Sequence, residues 1–241
     1  MIFTNFLNMQ LSNILFLDIE TVSSAKEFLD LNDEFQELWK KKSKYWLKDE
    51  KKDSAEEIYK DKAGIYAEFA KIVCISVGYI TKENEIRLKS FYDDDEKIVL
   101  AQFSELLSNY YNNPMKHQLC GHNIKEFDIP FLCRRLIINN MPIPAILDVM
   151  GKKPWETKHL LDTLEMWKFG DYKNYTSLNL LANVLGIKSP KDDIDGSQVG
   201  IVYWEEGDLE RIKVYCEKDV KTVAKVYLRI LSLPGIKEEE E

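Results

Sequence analysis

Apolar side chains follow two rhythms along this chain. In "NILFLDIETV", residues 13–22, five of the six positions before Glu20 are apolar. That is the density of a central strand buried on both faces. "KIVCISVGYI" (71–80) and "EIRLKSFY" (85–92) flank the polar "TKEN", which predicts a hairpin. "KHQLCGHN" (116–123) predicts a strand ending in a glycine turn. Elsewhere the spacing is helical. Phe28, Leu31, Phe35, Leu38 and Trp39, then Ile58, Ile65, Tyr66 and Phe69, predict two amphipathic helices joined by the lysine-rich "KKKSKYWLKDEKKDS". "DDDEKIVLAQFSELLSNYY" reads as a helix with acidic residues at its N-terminus, where the macrodipole favours them. "KEFDIPFLCRRLIINN" reads as another, with Pro130 in its first turn. "SLNLLANVLGI" stops at Gly186, and a last helix runs from about Asp208 to Leu231. Strands come first and then alternate with helices, which predicts an α/β domain with a mixed sheet.

At 241 residues with 45% hydrophobic composition, the chain can bury one main core. The expected organisation is a single domain over 12–232, a helical insertion at about 23–68, and an acidic disordered tail at 233–241. The net charge of -8 and pI near 5.2 argue against the broad basic footprint of a tight, sequence-independent nucleic-acid binder. They do not exclude an enzyme that holds phosphates through metal ions, because bound divalent cations invert the field of a carboxylate cluster. Cys74, Cys120, Cys133 and Cys216 are scattered and form no C-x-x-C pair, so neither a zinc knuckle nor a disulfide framework is indicated. A reduced, intracellular, cytoplasmic protein is the expectation. The opening "MIFTNFLNMQ" lacks a basic n-region and reads as neither secretory signal nor membrane span. The lysines 40–44 with Tyr45 and Trp46 have two readings, a basic aromatic arm for nucleic acid or a solvated helical face, and the second carries more weight.

Two carboxylates interrupt the first strand. Asp18 and Glu20 are two residues apart, so alternation points them to the same side. At roughly 4 Å and an effective dielectric of about 20, two such charges repel by about 4 kcal/mol, so the pair needs a cation, a proton or solvent. A strand end reaching water would also satisfy it. Asp128 stands near a helix start, and Tyr215 and Asp219 share a face of the last helix at i and i+4. Singly, a salt-bridged Asp219 and a core Tyr215 are the simpler reading.

D-I-E-T at 18–21, N-x-x-x-F-D at 123–128 and Y-x-x-x-D at 215–219, in this order and at these separations, resemble the three motifs of the DEDD 3'-5' exonucleases. The context is most similar to the predicted exonucleases related to the proofreading domain of family B DNA polymerases. Tyr215 four residues before Asp219, with Val214 rather than His at the fifth, resembles the tyrosine branch. The resemblance runs from about Asn13 to Leu231 and includes "EFAKIVCISVGYI" and "DIDGSQV". It implies a ribonuclease H-like mixed sheet flanked by helices, with a helical insertion after the first strand. It also implies hydrolysis of phosphodiester bonds from the 3' end of a single strand, DNA favoured, with two Mg²⁺ or Mn²⁺ ions.

Such hard ions favour carboxylate oxygens, and a pair of them supplies both nucleophile activation and charge compensation at phosphate. By resemblance, Asp18 bridges both ions, Glu20 and Asp219 complete the one that holds the attacking water, and Asp128 acts on the other. Tyr215 orients the water. Thr21, Asn123 and Phe127 map to positions that meet the terminal nucleotides, although a helix-capping Asn123 and a core Phe127 fit the sequence equally well. An exoribonuclease or oligonucleotide hydrolase on the same site, or a silent nucleic-acid-binding domain, remain as alternatives. His122 is not needed as a base, and His117 and His159 read as surface or strand-edge residues. Asp162 reads as a structural cap, and Asp192, Asp193 and Asp195 as turn residues with Gly196 supplying backbone freedom.

Overall fold

The strand that begins at Ile14 continues past its carboxylates to Ser23 (β1, Ile14–Ser23), because its pairing with one neighbour extends from Phe16 to Ser23. The computed structural model describes residues 11–49, 54–171, 173, 175–187 and 194–237. Among the described residues five strands form one sheet in the order β3-β2-β1-β4-β5, with β2 at Ala70–Ile80, β3 at Ile86–Tyr92, β4 at Gln118–Gly121 and β5 at Leu160–Asp162. β1 pairs antiparallel with β2 and parallel with β4, while β2–β3 is the antiparallel hairpin and β4–β5 is parallel. Asn84 closes the hairpin at φ +63°, a left-handed conformation that Asn tolerates.

Helices cover both faces. α3 (Glu96–Tyr110) and α4 (Asp128–Ile138) lie on one side, where Leu15, Leu17 and Ile19 of β1 meet Phe103, Leu107, Phe131 and Leu132. Pro130 falls within the first turn of α4, where its missing N–H costs nothing. On the other side, Ile14 and Phe16 meet Val220, Val223, Ala224 and Tyr227 of α7 (Leu209–Ile230). α5 (Thr163–Lys168) and α6 (Leu178–Val184) complete the domain, and Gly186 follows α6 with φ +67°, as a helix stop does.

The insertion has its own small core. α1 (Asp33–Asp49) and α2 (Ala55–Lys62) close around Phe28, Trp39, Ile58, Tyr59 and Phe69. The lysine-rich stretch expected as a connector is instead the continuation of α1 as far as Asp49. Its aromatic spacing explains this: Trp39 is fully buried, and Trp46 two turns later packs on Tyr66 with ring centroids 5.3 Å apart. Lys42 lies over the Tyr66 ring at 4.6 Å, so the stretch is a helical face whose lysines cover aromatic surface.

The tail also differs from expectation. Ile236 is buried against the α7 cluster, and the Lys237 N–H donates to the Asn84 carbonyl at 2.8 Å, so Leu233–Lys237 packs beneath the hairpin turn. His159, read as a surface or strand-edge residue, directly precedes the edge strand β5 but is 4% exposed, its Nε2 meeting the Ile146 carbonyl at 3.0 Å. The opening ten residues, Asp192, Asp193 and the final acidic run 238–241 lie outside the described residues. Among the described residues no helix is long and apolar enough to cross a membrane.

Candidate active site

Alternation along β1 decides where its acids point. Leu15, Leu17 and Ile19 enter the core beneath α3 and α4, so Asp18 and Glu20, like Ile14 and Phe16, face α7. On α7 the buried stripe Ile212, Cys216, Val220 and Val223 carries Tyr215 and Asp219 along its flank. The Cys216 thiol donates to Asp18 Oδ2 at 3.5 Å and to the Asp18 carbonyl at 3.4 Å. One donor atom each from Asp18, Glu20 and Cys216 lie within 4.8 Å of one another. Just beyond Glu20 the pairing with β2 jumps from Glu20↔Cys74 to Thr21↔Ile72, a bulge of the kind that re-aims side chains beside a site.

Asp128 arrives from the opposite layer. It is the first residue of α4 and 4% exposed. Polar backbone groups of Asp128 itself and of Ile19, the residue between Asp18 and Glu20, favour its charged form. Burial still lifts its carboxyl to about 7, helped by the charge of Asp162. Burial, then the charges of Asp219 and Asp128, push Asp18 well above the carboxylate range. Burial, then Asp18 and Asp219, do the same to Glu20. Burial, followed by the charges of Asp219 and Glu20, holds the Tyr215 phenol far above its usual range. Among the described residues no lysine, arginine or histidine forms an ion pair with Asp18, Glu20 or Asp128. Carboxylates placed in this way could hold a divalent ion.

The expected substrate contacts differ in kind. The Thr21 hydroxyl is engaged, donating to the Gly64 carbonyl at 2.7 Å, which ties the end of the insertion to β1. Asn123 does not cap α4: its φ is +63°, and its carbonyl accepts from Glu126 and Phe127 N–H at 3.2 and 3.0 Å. Phe127 is half-buried, its ring 5.3 Å from that of Phe131. His122 is held by Thr163 Oγ1 at 2.9 Å and the Thr176 carbonyl at 2.8 Å. Burial lowers its pKa, and with both nitrogens engaged it offers no free base to the carboxylates.

Asp162 organises the second motif. Its carboxylate accepts from the N–H groups of Asn123 (3.0 Å), Lys125 (3.2 Å), Leu164 (2.9 Å) and Glu165 (3.4 Å) and is 3% exposed. It therefore caps α5 and also fixes the turn that delivers Asp128. Asp162→Ala should cost about 2 to 4 kcal/mol in a urea melt, since buried donors lose a charged acceptor. A change below about 0.5 kcal/mol, the scale of a neutral surface substitution, would refute this role.

Asp195 is a turn residue as expected, accepting from the Ser197 N–H at 2.8 Å. Gly196 has no left-handed φ, so conformational freedom is not its use. A Cβ there would stand 4.0 Å from the Tyr215 hydroxyl oxygen, so this turn lies beside the phenol. Neither Gly196 nor the thiol of Cys216 stands out by pattern, although Cys216 adjoins Tyr215 in "YCEKD".

Comparisons with known proteins identify the family. Residues 65–241 match the family described as "Predicted 3'-5' exonuclease related to the exonuclease domain of PolB", a span that contains Asp128, Tyr215 and Asp219. An "Uncharacterized protein" of Methanocaldococcus jannaschii is 30% identical over 156 residues, 60% of this chain and 84% of that protein. Among solved structures, the family B DNA polymerase from the hyperthermophilic archaeon Pyrobaculum calidifontis superposes over 91% of this chain with a TM-score of 0.58 at 14% identity. This chain spans 24% of that polymerase, and what the two share is the ribonuclease H-like fold. E. coli Exonuclease I in complex with a dT13 oligonucleotide gives a TM-score of 0.39 at 13% identity, over 83% of this chain and 42% of that one, too low to bear on the fold.

Proposed function

Because the chain belongs to the family of predicted 3'-5' exonucleases related to the exonuclease domain of PolB, we propose that it hydrolyses phosphodiester bonds from the 3' end of single-stranded nucleic acid, DNA favoured, in a metal-dependent reaction. One observation carries the reading: buried carboxylates from two faces of the sheet converge with no cationic side chain paired to Asp18, Glu20 or Asp128 among the described residues. Asp18, Glu20, Asp128 and Asp219 would hold two Mg²⁺ or Mn²⁺ ions. Bound there, the ions would supply charge compensation at the phosphate and activation of a water nucleophile.

The chain's own groups do the positioning. With its acidity suppressed, Tyr215 is a hydrogen-bonding group and not a base; its hydroxyl, oriented by Asp219, would align the attacking water. Thr21 would meet the terminal nucleotide through backbone and methyl, since its hydroxyl is committed to Gly64. Asn123 would reach the strand with its side-chain amide, and a base stacked on Phe127 would contribute about 1 to 3 kcal/mol.

The test is a gel assay with 5'-labelled single-stranded DNA and RNA of equal sequence in Mn²⁺, Mg²⁺ or EDTA, with Asp219→Ala as control. A metal-dependent ladder shortening from the 3' end, absent in the variant, supports the reading and names the preferred sugar. An intact strand in every lane, with wild type and variant binding it alike, would instead favour a silent binding domain.

A further inference from the structure

Between Tyr215 and Asp219 the helix places a group that an all-oxygen site does not call for. Cys216 is fully buried. Its sulfur sits 3.5 Å from Asp18 Oδ2 and belongs, with one oxygen each of Asp18 and Glu20, to a set of atoms all within 4.8 Å of one another. Tetrahedral ligands of one zinc ion, at about 2.3 Å for sulfur and about 2.0–2.2 Å for oxygen, stand about 3.4–3.7 Å apart. The Cys216–Asp18 pair already has that spacing, and side-chain rotation that brings the remaining donor closer by up to about 1 Å completes the set. Glu20 supplies an independent sign that a ligand belongs here: its side chain is 7% exposed, directed at the same point, and accepts no hydrogen bond among the described residues. A carboxylate shielded to this degree gains from a bound cation.

We infer that Asp18, Glu20 and the Cys216 sulfur form a mixed oxygen–sulfur donor set that captures thiophilic divalent ions, Zn²⁺ and Cd²⁺, at this centre. Soft sulfur favours such ions over Mg²⁺ and Mn²⁺, and zinc exceeds manganese in affinity for most nitrogen, oxygen and sulfur sites. Binding converts the thiol to a thiolate whose lone pair forms the metal–sulfur bond. The proton passes to solvent, and nothing is oxidised or reduced. The further consequence, that zinc arrests cleavage by displacing the catalytic ion, rests on the exonuclease reading; the donor set does not.

The test is a Cd²⁺ titration of the purified full chain, followed by the sulfur-to-cadmium charge-transfer absorption in the ultraviolet, with Zn²⁺ affinity measured by calorimetry. Wild type should give a band that saturates at one ion per chain. Cys216→Ser should lose the band and weaken Zn²⁺ by more than about tenfold, while Cys74→Ala, which removes the neighbouring thiol, should keep both. Glu20→Gln retains every cysteine and should still bind Cd²⁺ more weakly, so the inference is testable even if Cys216→Ser does not fold. No band in wild type, or an undiminished response in Glu20→Gln, overturns it. Mn²⁺-dependent cleavage by the same wild-type preparation is scored separately. A band without cleavage supports the donor set and counts against the exonuclease reading, whereas cleavage without a band removes the donor set alone.

Discussion

Asp18→Asn is expected to be more stable than wild type without metal and nearly inactive with it. Asp18 is the carboxylate whose charge is the leading electrostatic influence on Glu20, and it is itself raised by burial and then by Asp219 and Asp128. Removing its charge relieves that repulsion, and an asparagine can still accept from Cys216. The pH dependence has a definite sign. A carboxyl raised in the folded state binds its proton more tightly than the unfolded chain does. Its stabilising contribution is complete below the unfolded value near 4 and is lost as pH rises through the folded one, about 7 for Asp128.

In EDTA the wild type should therefore lose stability between about pH 4 and pH 7 through these groups, and Asp18→Asn should lose less. Mn²⁺ at about 100 times its Kd should stabilise the wild type by about 2.7 kcal/mol and the variant by almost nothing. Cleavage should fall about a thousandfold, equivalent to about 4 kcal/mol of transition-state stabilisation. Thermal melts at pH 5 and pH 8, with EDTA or Mn²⁺, check the first part. A variant that melts below wild type at pH 8 in EDTA and still responds to Mn²⁺ would refute the account.

Glu96→Ala should produce the largest loss of stability. Glu96, 6% exposed, accepts from Arg135 Nε at 2.8 Å and a second guanidinium nitrogen at 2.6 Å, from the Asn139 amide at 2.7 Å and from the Ile72 N–H at 2.7 Å. Arg135 in turn donates to the Ala67 carbonyl at 2.7 Å. The network locks α3 to α4 and both to the start of β2. Deleting the carboxylate strands a buried guanidinium and should cost about 3 to 5 kcal/mol. Removing both partners, as in Glu96→Leu with Arg135→Met, should recover part of that loss, because neither charge is then left alone. Urea titration of the single and double variants measures it. A single-variant cost below about 1 kcal/mol, the range of an exposed pair, would mean that solvent reaches the site.

The strands and the long helices were legible because each declares its period locally. β1 could be read from Ile14–Ile19, and the common direction of Asp18 and Glu20 follows from alternation, which the bulge after Glu20 does not disturb. The pairing of Tyr215 with Asp219 follows from helical spacing. What escaped the sequence depends on distant partners. The lysines of 40–44 could be read as a helical face, but that the helix runs on to Asp49 depends on Trp46 meeting Tyr66, twenty positions away. The hydroxyl of Thr21 is committed by Gly64, forty-three positions away, and Leu233–Lys237 by the hairpin turn at Asn84. Gly196 reads as a turn glycine until the Tyr215 phenol is placed beside it.

The docking of α7 on β1 has a kinetic corollary. Asp18 and Asp219 come from opposite ends of the chain, so the carboxylates cannot meet until the last helix has been synthesised and has closed a loop of some two hundred residues. Sheet pairing and the core beneath α3 and α4 can form earlier from segments nearer in sequence, and long-range closure comes late in such topologies. The mutual repulsion of the acids is then met only in the final assembly step. Divalent cations present during refolding would act on that step alone, leaving the formation of the sheet at its metal-free rate.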